Sequence, residues 1–164
     1  MFDMEAASAA MTWADPVRAT EEVRRRVETA MREDFVLCVW TGDRLTPRNF
    51  DVDHCFPWSA WPCNDLWNLL PARRDVNQHK KADKLPSFDA LNEARPRIVQ
   101  WWRQAYWLEG QETGWRERFQ LEAHASLAAL SGVRRPEPEQ VFGAMHGHRL
   151  RLWQDQRVTE WNGP

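Results

Sequence analysis

The residue types best suited to chemistry fall in one stretch, where an aspartate and a histidine are followed by two asparagines. Asp53 and His54 are adjacent, Asn68 follows, and Asn77 lies nine positions beyond Asn68. Because an unperturbed histidine has a pKa of about 6.5, His54 is mostly neutral at pH 7 and can accept a proton from water. Asp53 is a hard oxygen ligand suited to Mg²⁺, and Asn77 can offer its side-chain carbonyl. This set could therefore deprotonate a water molecule beside a bound divalent cation.

Two extended segments are predicted around the Asp53-His54 pair. Phe50 and Val52 alternate with polar neighbours, which predicts an extended segment over residues 49–54. The apolar run over residues 35–40 is rich in β-forming residues and ends at turn residues, so it predicts a strand.

The asparagines are predicted to lie on the two elements that follow. Residues 55–65 contain two prolines and no clean period, so we expect a loop there. Residues 66–70 predict another short strand, which Pro71 stops. A helix is then expected from about residue 73 to residue 84, and this helix would carry Asn77.

The rest of the sequence predicts helices. Asp15 as N-cap and Pro16 at the first helical position predict a helix over residues 16–32. Ser87 is expected to cap another helix, with a break at Pro96. Apolar residues at helical spacing are Ile98, Trp102 and Tyr106 in one segment, and Trp115, Phe119, Ala123, Leu127 and Leu130 in the next. Both stripes are expected to be core faces, and a last amphipathic segment is predicted over residues 139–156.

The central stretch resembles the HNH, or ββα-metal, nuclease family. Two residues separate Asp51-Val52-Asp53-His54 from Pro57, and one residue separates Pro57 from Ser59. The spacing from Asn68 to Asn77 and on to Lys80 is also shared, and it is most similar to the HNH domain of RNA-guided type II CRISPR effector nucleases. The resemblance covers residues 35–87. It implies an α+β fold with a ββα-metal hairpin and helix embedded in a mainly helical domain, between an N-terminal helical segment (1–34) and a Trp-rich helical extension (88–164).

The resemblance also implies roles for the motif residues. The chain would hydrolyse DNA phosphodiester bonds, with His54 as general base and Asp53 and Asn77 as ligands of Mg²⁺, for which Mn²⁺ can substitute. Asn68 would orient the loop that holds His54 through hydrogen bonds from its side chain to the backbone, and would not be a ligand. Lys80 would either contact a phosphate or be an ordinary solvated lysine.

A basic strip is predicted around the site. Arg73, Asn77, Lys80 and Lys84 recur at three or four positions, which places them on one face of the predicted helix. Arg73, Lys80 and Lys84 are therefore candidate phosphate contacts, and the alternative is a solvated charged face.

Other histidines and cysteines are weaker candidates. His79 competes with Asn77 for the last metal position and could pair with Asp83, four residues on. Residues two apart do not face each other on a helix, so His146 and His148 are expected to be surface or partly satisfied histidines rather than a metal site. His124, Cys55 and Cys63 show no chemical partner in the sequence, and the two thiols are expected to be buried.

The structural zinc site of many HNH proteins is incomplete in this sequence. By the resemblance, its four cysteine positions correspond to Cys38, Thr41, Arg73 and Val76, so only one cysteine remains. A structural zinc ion needs four ligands. We therefore expect no structural zinc, with the Trp-rich helical part stabilising the hairpin instead.

The net charge of the chain indicates whether it could bind DNA without a partner. A formal net charge of -2 is unusual for a protein that holds duplex DNA alone, because non-specific affinity comes mainly from Lys and Arg. We therefore expect a targeting partner, such as an RNA-guided CRISPR effector complex or another prokaryotic defence system. The alternatives are a stand-alone restriction-type or toxin nuclease, and a non-catalytic nucleic-acid-binding module.

Composition indicates the compartment. The three cysteines form an odd set without a CxxC pair, which favours a reducing environment. No apolar run reaches the roughly eighteen residues of a membrane span, so we expect a cytoplasmic prokaryotic protein without a membrane partner.

Overall fold

A two-stranded antiparallel hairpin forms the centre of the protein in a computed structural model that describes residues 17–108 and 114–164. Strand β1 (Phe50–His54) pairs with strand β2 (Leu69–Arg73), so that Phe50 lies opposite Arg73 and His54 opposite Leu69. The prediction of an extended segment over residues 49–54 is confirmed. Asp53 and His54 therefore stand at the end of β1, where the chain leaves the sheet.

The second strand begins later than expected and contains the proline that was expected to stop it. Leu66–Asn68 form a short 3₁₀ turn, and β2 continues through Pro71. Cys55 N–H donates to the Asn68 carbonyl at 2.8 Å. Residue pairs along an antiparallel ladder alternate between hydrogen-bonded and non-hydrogen-bonded, so this bond fixes which pairs of β1 and β2 are bonded. Pro71 consequently lies opposite Val52 in a pair that exchanges no backbone hydrogen bonds, so its missing N–H costs that pairing nothing.

The apolar run over residues 35–40 does not form a strand, so that prediction was wrong. The segment has one isolated bridge, between Leu37 and Arg44. The chain then turns tightly: Cys38 N–H donates to the Asp43 carbonyl at 2.8 Å, and Gly42 N–H donates to the Cys38 carbonyl at 2.9 Å. Gly42 has a φ of 79°, which only glycine adopts without strain. The apolar side chains are buried by this turn rather than by a sheet.

The segment after β2 is a short helix with a wide last turn. Residues 74 and 75 are α-helical, and Val76–Lys81 form a π-helix. Ala82 N–H closes the wide turn by donating to the Asn77 carbonyl, five residues back, at 3.0 Å. The helix was predicted over residues 73–84 and is therefore shorter, because Ala82 takes a φ of 47° and ends it.

In residues 17–108 and 114–164, four long helices surround the hairpin. They are α1 (Glu21–Glu33), α2 (Phe88–Tyr106), α3 (Trp115–Ser126) and α4 (Pro138–Gln156). Helix α1 begins later than predicted, at Glu21, and the expected cap at Asp15-Pro16 lies outside the described residues. The Ser87 cap is confirmed, since its side chain accepts from Ala90 N–H at 3.2 Å. The last predicted segment, residues 139–156, is confirmed as α4.

The break at Pro96 was wrong, because α2 passes through this residue without interruption. Pro96 is exposed, whereas Ala94, Ile98 and Trp102 on the other face are buried. Burial of that face outweighs the hydrogen bond that proline cannot make. The helical stripes are core faces as predicted, except that Trp115 is only half-buried.

A second, very small sheet joins distant parts of the chain. Strand β3 (Leu85–Pro86) lies directly after the π-helix and pairs in parallel with β4 (Glu160–Trp161). The Trp161 ring meets the Trp40 ring edge-on at 5.2 Å between centroids. None of the helices in the described ranges is long and apolar enough to cross a membrane.

Candidate active site

His54 lies at the end of β1 beside a cleft. Its side chain is mostly covered, with the residue 8 % exposed, and its Nε2 atom is 3.1 Å from Asn64 Oδ1. The Trp58 ring packs edge-on against the imidazole at 5.2 Å. Burial lowers the pKa of His54 below its usual value, against the opposing effects of Asn64 and Asp53. The neutral, proton-accepting form is therefore favoured.

Asp53 is almost fully buried and both of its carboxylate oxygens accept hydrogen bonds. Lys81 Nζ is 3.1 Å from Oδ1, and Trp40 Nε1 donates to Oδ2 at 2.8 Å. Lys81 Nζ also donates to the His54 carbonyl at 2.8 Å. Burial raises the pKa of Asp53 above its usual value, and the nearby Lys81 charge opposes that effect. The residue is 2 % exposed, so it presents little carboxylate surface to the cleft.

Lys81 is the residue that the sequence analysis missed. It is 0 % exposed and ties Asp53 to the backbone of His54. Its neighbour Lys80 has the spacing seen in the family and was the predicted phosphate contact. Lys80 is exposed. Two consecutive lysines, three and four positions after Asn77, were the available signal, since one side of a short helix must face inward.

Asn68 connects the two ends of the loop between the strands. Its Oδ1 atom accepts from Phe56 N–H at 2.9 Å, and its Nδ2 atom donates to the Cys63 carbonyl at 3.0 Å. The side chain is completely buried. The resemblance implied hydrogen bonds from the Asn68 side chain to the loop backbone, and these bonds are present. One of them is to Phe56, two residues after His54.

Asn77 and Asp51 meet on the opposite side of the same cleft. Asn77 Nδ2 lies 3.3 Å from Asp51 Oδ2, and Arg24 Nη2 donates to Asp51 Oδ1 at 2.9 Å. The cleft has a volume of about 190 Å³. Its wall is formed by Asp51, Asp53, His54, Asn77 and Asp83 together with two arginines, Arg18 and Arg24. The structure therefore brings the predicted base and both predicted metal ligands to one opening.

The oxygen donors of the cleft suit a hard cation. Asp51, Asp53 and Asn77 supply carboxylate and amide oxygens, which are the ligands that Mg²⁺ prefers. Within residues 17–108 and 114–164, no group of three or more His, Cys, Asp or Glu side chains is placed to hold a metal ion. Asn77 could hold a cation together with a carboxylate of this cleft, and water or phosphate oxygens would complete its coordination.

The predicted basic strip is not formed as one helical face. Arg73 ends β2 and its guanidinium is bound to Asp43 and Asp75, at 2.9 Å in each case. Through hydrogen bonds, Arg73 holds the pKa of both carboxyls below the usual range. Lys84 follows the helix and donates weakly to the Lys80 carbonyl at 3.4 Å. The cleft is lined by Arg18 and Arg24 instead, neither of which belongs to the motif.

The remaining histidines and cysteines lie away from the cleft. His79 is exposed and does not line it, although Asp83 does. His148 is buried against Phe56, Trp61 and Trp67, and burial lowers its pKa to about 4. Cys55 and Cys63 are buried, and burial raises the pKa of Cys63 to about 12. A thiol with a raised pKa is a poor nucleophile.

Hydrogen bonds connect three of the four positions that correspond to the zinc-binding cysteines of many HNH proteins. Cys38 Sγ accepts from Arg73 N–H at 3.3 Å, and Thr41 Oγ1 donates to Asp43 Oδ2 at 3.0 Å. Asp43 also receives the Arg73 guanidinium. The turn over residues 38–43 is thereby attached to the end of β2 through side chains.

Residues 38–87 match the profile of a protein family described as HNH endonuclease. The matched segment is about a third of the chain and contains both strands of the hairpin, the π-helix and β3. It supports an HNH-type nuclease segment and a nucleic-acid substrate. No curated protein and no solved structure matches the chain.

Proposed function

We propose that this protein is a divalent-metal-dependent endonuclease that hydrolyses phosphodiester bonds of DNA. The observation that carries the proposal is the position of His54. It is held in its neutral form at a cleft that also contains Asp51, Asp53 and Asn77, within the segment that matches the HNH profile. A base beside hard oxygen donors is the arrangement that phosphodiester hydrolysis needs.

The chemistry of the protein residues follows from their positions. His54 takes the proton of the attacking water, and Asn68 keeps the loop after His54 in place through Phe56 and Cys63. Arg18 and Arg24 bring positive charge to the cleft, where the phosphate would lie. Asp53 contributes through its bonds to Lys81 and Trp40, which fix the end of β1.

The metal would be held by Asn77 and a carboxylate of β1. The motif implies Asp53, whose oxygens each keep a second acceptor position beyond the bonds to Lys81 and Trp40. Asp51 is the more open carboxylate and already contacts Asn77. When bound, Mg²⁺ or Mn²⁺ would supply charge stabilisation for the leaving oxygen.

Delivery to DNA is the second part of the proposal. The net charge of -2 gives the chain little attraction for duplex DNA, so a CRISPR-type or other prokaryotic defence effector would recruit it. A stand-alone restriction-type or toxin nuclease would cut without such a partner. A non-catalytic nucleic-acid-binding module would bind without cutting.

Plasmid nicking with Mg²⁺ or Mn²⁺ tests the activity. His54→Ala should lower the rate by about 10²- to 10⁴-fold, the usual contribution of a general base. His79→Ala is the matched control, because His79 is exposed and does not line the cleft. Equal rates for the wild type and His54→Ala would remove His54 from the mechanism. Binding without nicking by the wild type would favour the non-catalytic module, and nicking that appears only on addition of a targeting complex would favour recruitment.

Direct measurement of Mn²⁺ binding assigns the ligands. Asn77→Ala should weaken binding in isothermal titration, whereas His79→Ala should leave it unchanged. Comparison of Asp53→Asn with Asp51→Asn then shows which carboxylate is the ligand, because only the ligand variant loses affinity. Loss of affinity in His79→Ala and not in Asn77→Ala would move the site to His79.

A further inference from the structure

Asn64 lies in the loop between β1 and β2 and is not one of the motif residues. Its Oδ1 atom accepts from Ala19 N–H at 3.0 Å, and its Nδ2 atom donates to the Val17 carbonyl at 2.8 Å. One partner is a donor and the other is an acceptor, so the two ends of the amide cannot be exchanged without loss of both bonds. The backbone before α1 therefore determines the orientation of the Asn64 side chain.

The same Oδ1 atom lies 3.1 Å from His54 Nε2. An amide oxygen can only accept a hydrogen bond, so Nε2 must carry the hydrogen. In the neutral imidazole the lone pair is then on Nδ1. Of the two ring nitrogens, only Nδ1 is free to accept a proton from water.

We propose that Asn64 is a positioning residue that selects the Nε2–H tautomer of His54 and couples it to residues 17–20, which we call the N-terminal strap. The proposal rests on the proposed function, because it assumes that His54 is the base. The strap lies outside the segment that matches the HNH profile, yet Arg18 and Thr20 line the cleft. The nuclease site would thus include residues that precede the motif.

The coupling has a direct physical basis. One amide group holds the strap through two bonds and the imidazole through a third. The Trp58 ring also packs against the imidazole, at 5.2 Å between centroids, and this aromatic contact supplies no hydrogen bond that would select one tautomer. Loss of the amide would leave the imidazole free to turn over and would release Arg18 from the edge of the cleft. A small displacement of a catalytic group costs up to about 10²-fold in rate.

The tautomer can be read by NMR without any measurement of nuclease activity. Nitrogen-15 spectra of the imidazole rings, recorded where His54 is neutral, should show a protonated Nε2 and an unprotonated Nδ1. His124 is an internal reference, because its Nδ1 atom lies 3.0 Å from the carbonyls of Leu130 and Val133 and must carry the hydrogen. Asn64→Ala should give an averaged mixture at His54 and leave the His124 signals unchanged. A single unprotonated Nε2 at His54 in the wild type would overturn the proposal.

Two variants separate positioning from general loss of structure. Asn64→Ala should lower kcat for nicking by about 10- to 100-fold. Asn64→Asp keeps an acceptor for His54 and Ala19 but loses the donor to the Val17 carbonyl, so it should keep the Nε2–H tautomer and lose less kcat than Asn64→Ala. The proposal fails if Asn64→Ala keeps both the wild-type tautomer and kcat, or if Asn64→Asp loses as much kcat as Asn64→Ala. Should the wild type cut no DNA either alone or with a targeting complex, the proposed function fails, while the NMR result still decides the role of Asn64.

Discussion

The buried polar side chains at the hairpin differ from the buried aromatic and histidine side chains of α2 and α4 in whether their polar atoms have partners. At the hairpin, the side chains of Asp53, Lys81 and Asn68 are buried and every one has hydrogen-bond partners. In the described parts of the chain, the buried side-chain nitrogen and oxygen atoms without a partner are those of Trp61, Trp101, Trp102, Tyr106, His146 and His148. All but Trp61 belong to α2 or α4. The hairpin is therefore held by specific polar bonds, whereas the aromatic side chains of α2 and α4 contribute buried area that outweighs their unpaired polar atoms. The buried Arg26, Gln120 and Arg149 of the helices do donate to backbone carbonyls.

The largest test of this difference is the removal of the buried lysine. Lys81→Met leaves Asp53 buried without its cation, and breaking one partner of a buried pair costs about 3–5 kcal/mol. The loss should appear in urea unfolding. Lys80→Met is the control, since Lys80 is exposed and should change stability by less than about 0.5 kcal/mol. The double variant Asp53→Leu with Lys81→Met should recover part of the loss, and equal stabilities for Lys80→Met and Lys81→Met would contradict the role of the pair.

The next test is the pH dependence of stability that His148 of α4 should cause. Burial lowers the pKa of His148 to about 4, so the folded protein resists its protonation while the unfolded chain takes up the proton near pH 6.5. Stability should therefore decrease as the pH falls from about 6.5 to about 4, by up to about 3 kcal/mol from this residue. His148→Phe should remove this part of the pH dependence, as measured by urea unfolding at several pH values. An unchanged slope in His148→Phe would show that His148 does not resist protonation, and His79→Gln serves as the exposed control.

Two tryptophans compare the regions directly. Trp67 and Trp102 are both 0 % exposed, but Trp67 Nε1 donates to Ser126 Oγ at 2.9 Å and Trp102 Nε1 has no partner among the described residues. Replacement by phenylalanine removes a hydrogen-bonded N–H at Trp67 and an N–H without a partner at Trp102. Trp67→Phe should therefore cost about 1.5 kcal/mol more than Trp102→Phe in chemical unfolding. Equal costs would mean that the hydrogen bond adds nothing to the packing of Trp67.

The smallest effect concerns the backbone of the turn over residues 38–43. A Cβ at Gly42 would meet Arg97 Cδ at an ordinary 3.6 Å, so space is available, but the φ of 79° strains any other residue. Gly42→Ala should lower the free energy of unfolding by about 1 kcal/mol. Gly132→Ala, where no atom lies within 4 Å and φ is ordinary, should be close to neutral. A neutral Gly42→Ala would indicate that the turn relaxes.

The parts of the site that were predictable are those with a local signal. The alternation of Phe50 and Val52 located β1, and residue spacing placed His54, Asn68 and Asn77 at or beside one cleft. Pro71 and Pro96 misled the prediction, because the sequence does not show the strand register that tolerates Pro71 or the buried helix face that outweighs Pro96. The burial of Lys81 depends on a π-helical turn, and the Asn64 contacts join residues 45 and 47 positions apart. Neither arrangement leaves a periodic pattern in the sequence.

The parallel pairing of β3 with β4 has a consequence for how the molecule is made. Trp161 packs on Trp40, the residue whose indole N–H donates to Asp53, and Leu85 N–H donates to the Thr159 carbonyl at 2.9 Å. A ribosome adds about 5–20 residues per second. The polypeptide between residues 87 and 161 therefore takes about 4 to 15 s to synthesise. During translation, the hairpin is therefore made well before Trp161, and Trp40 gains its packing against Trp161 only after β4 has been synthesised.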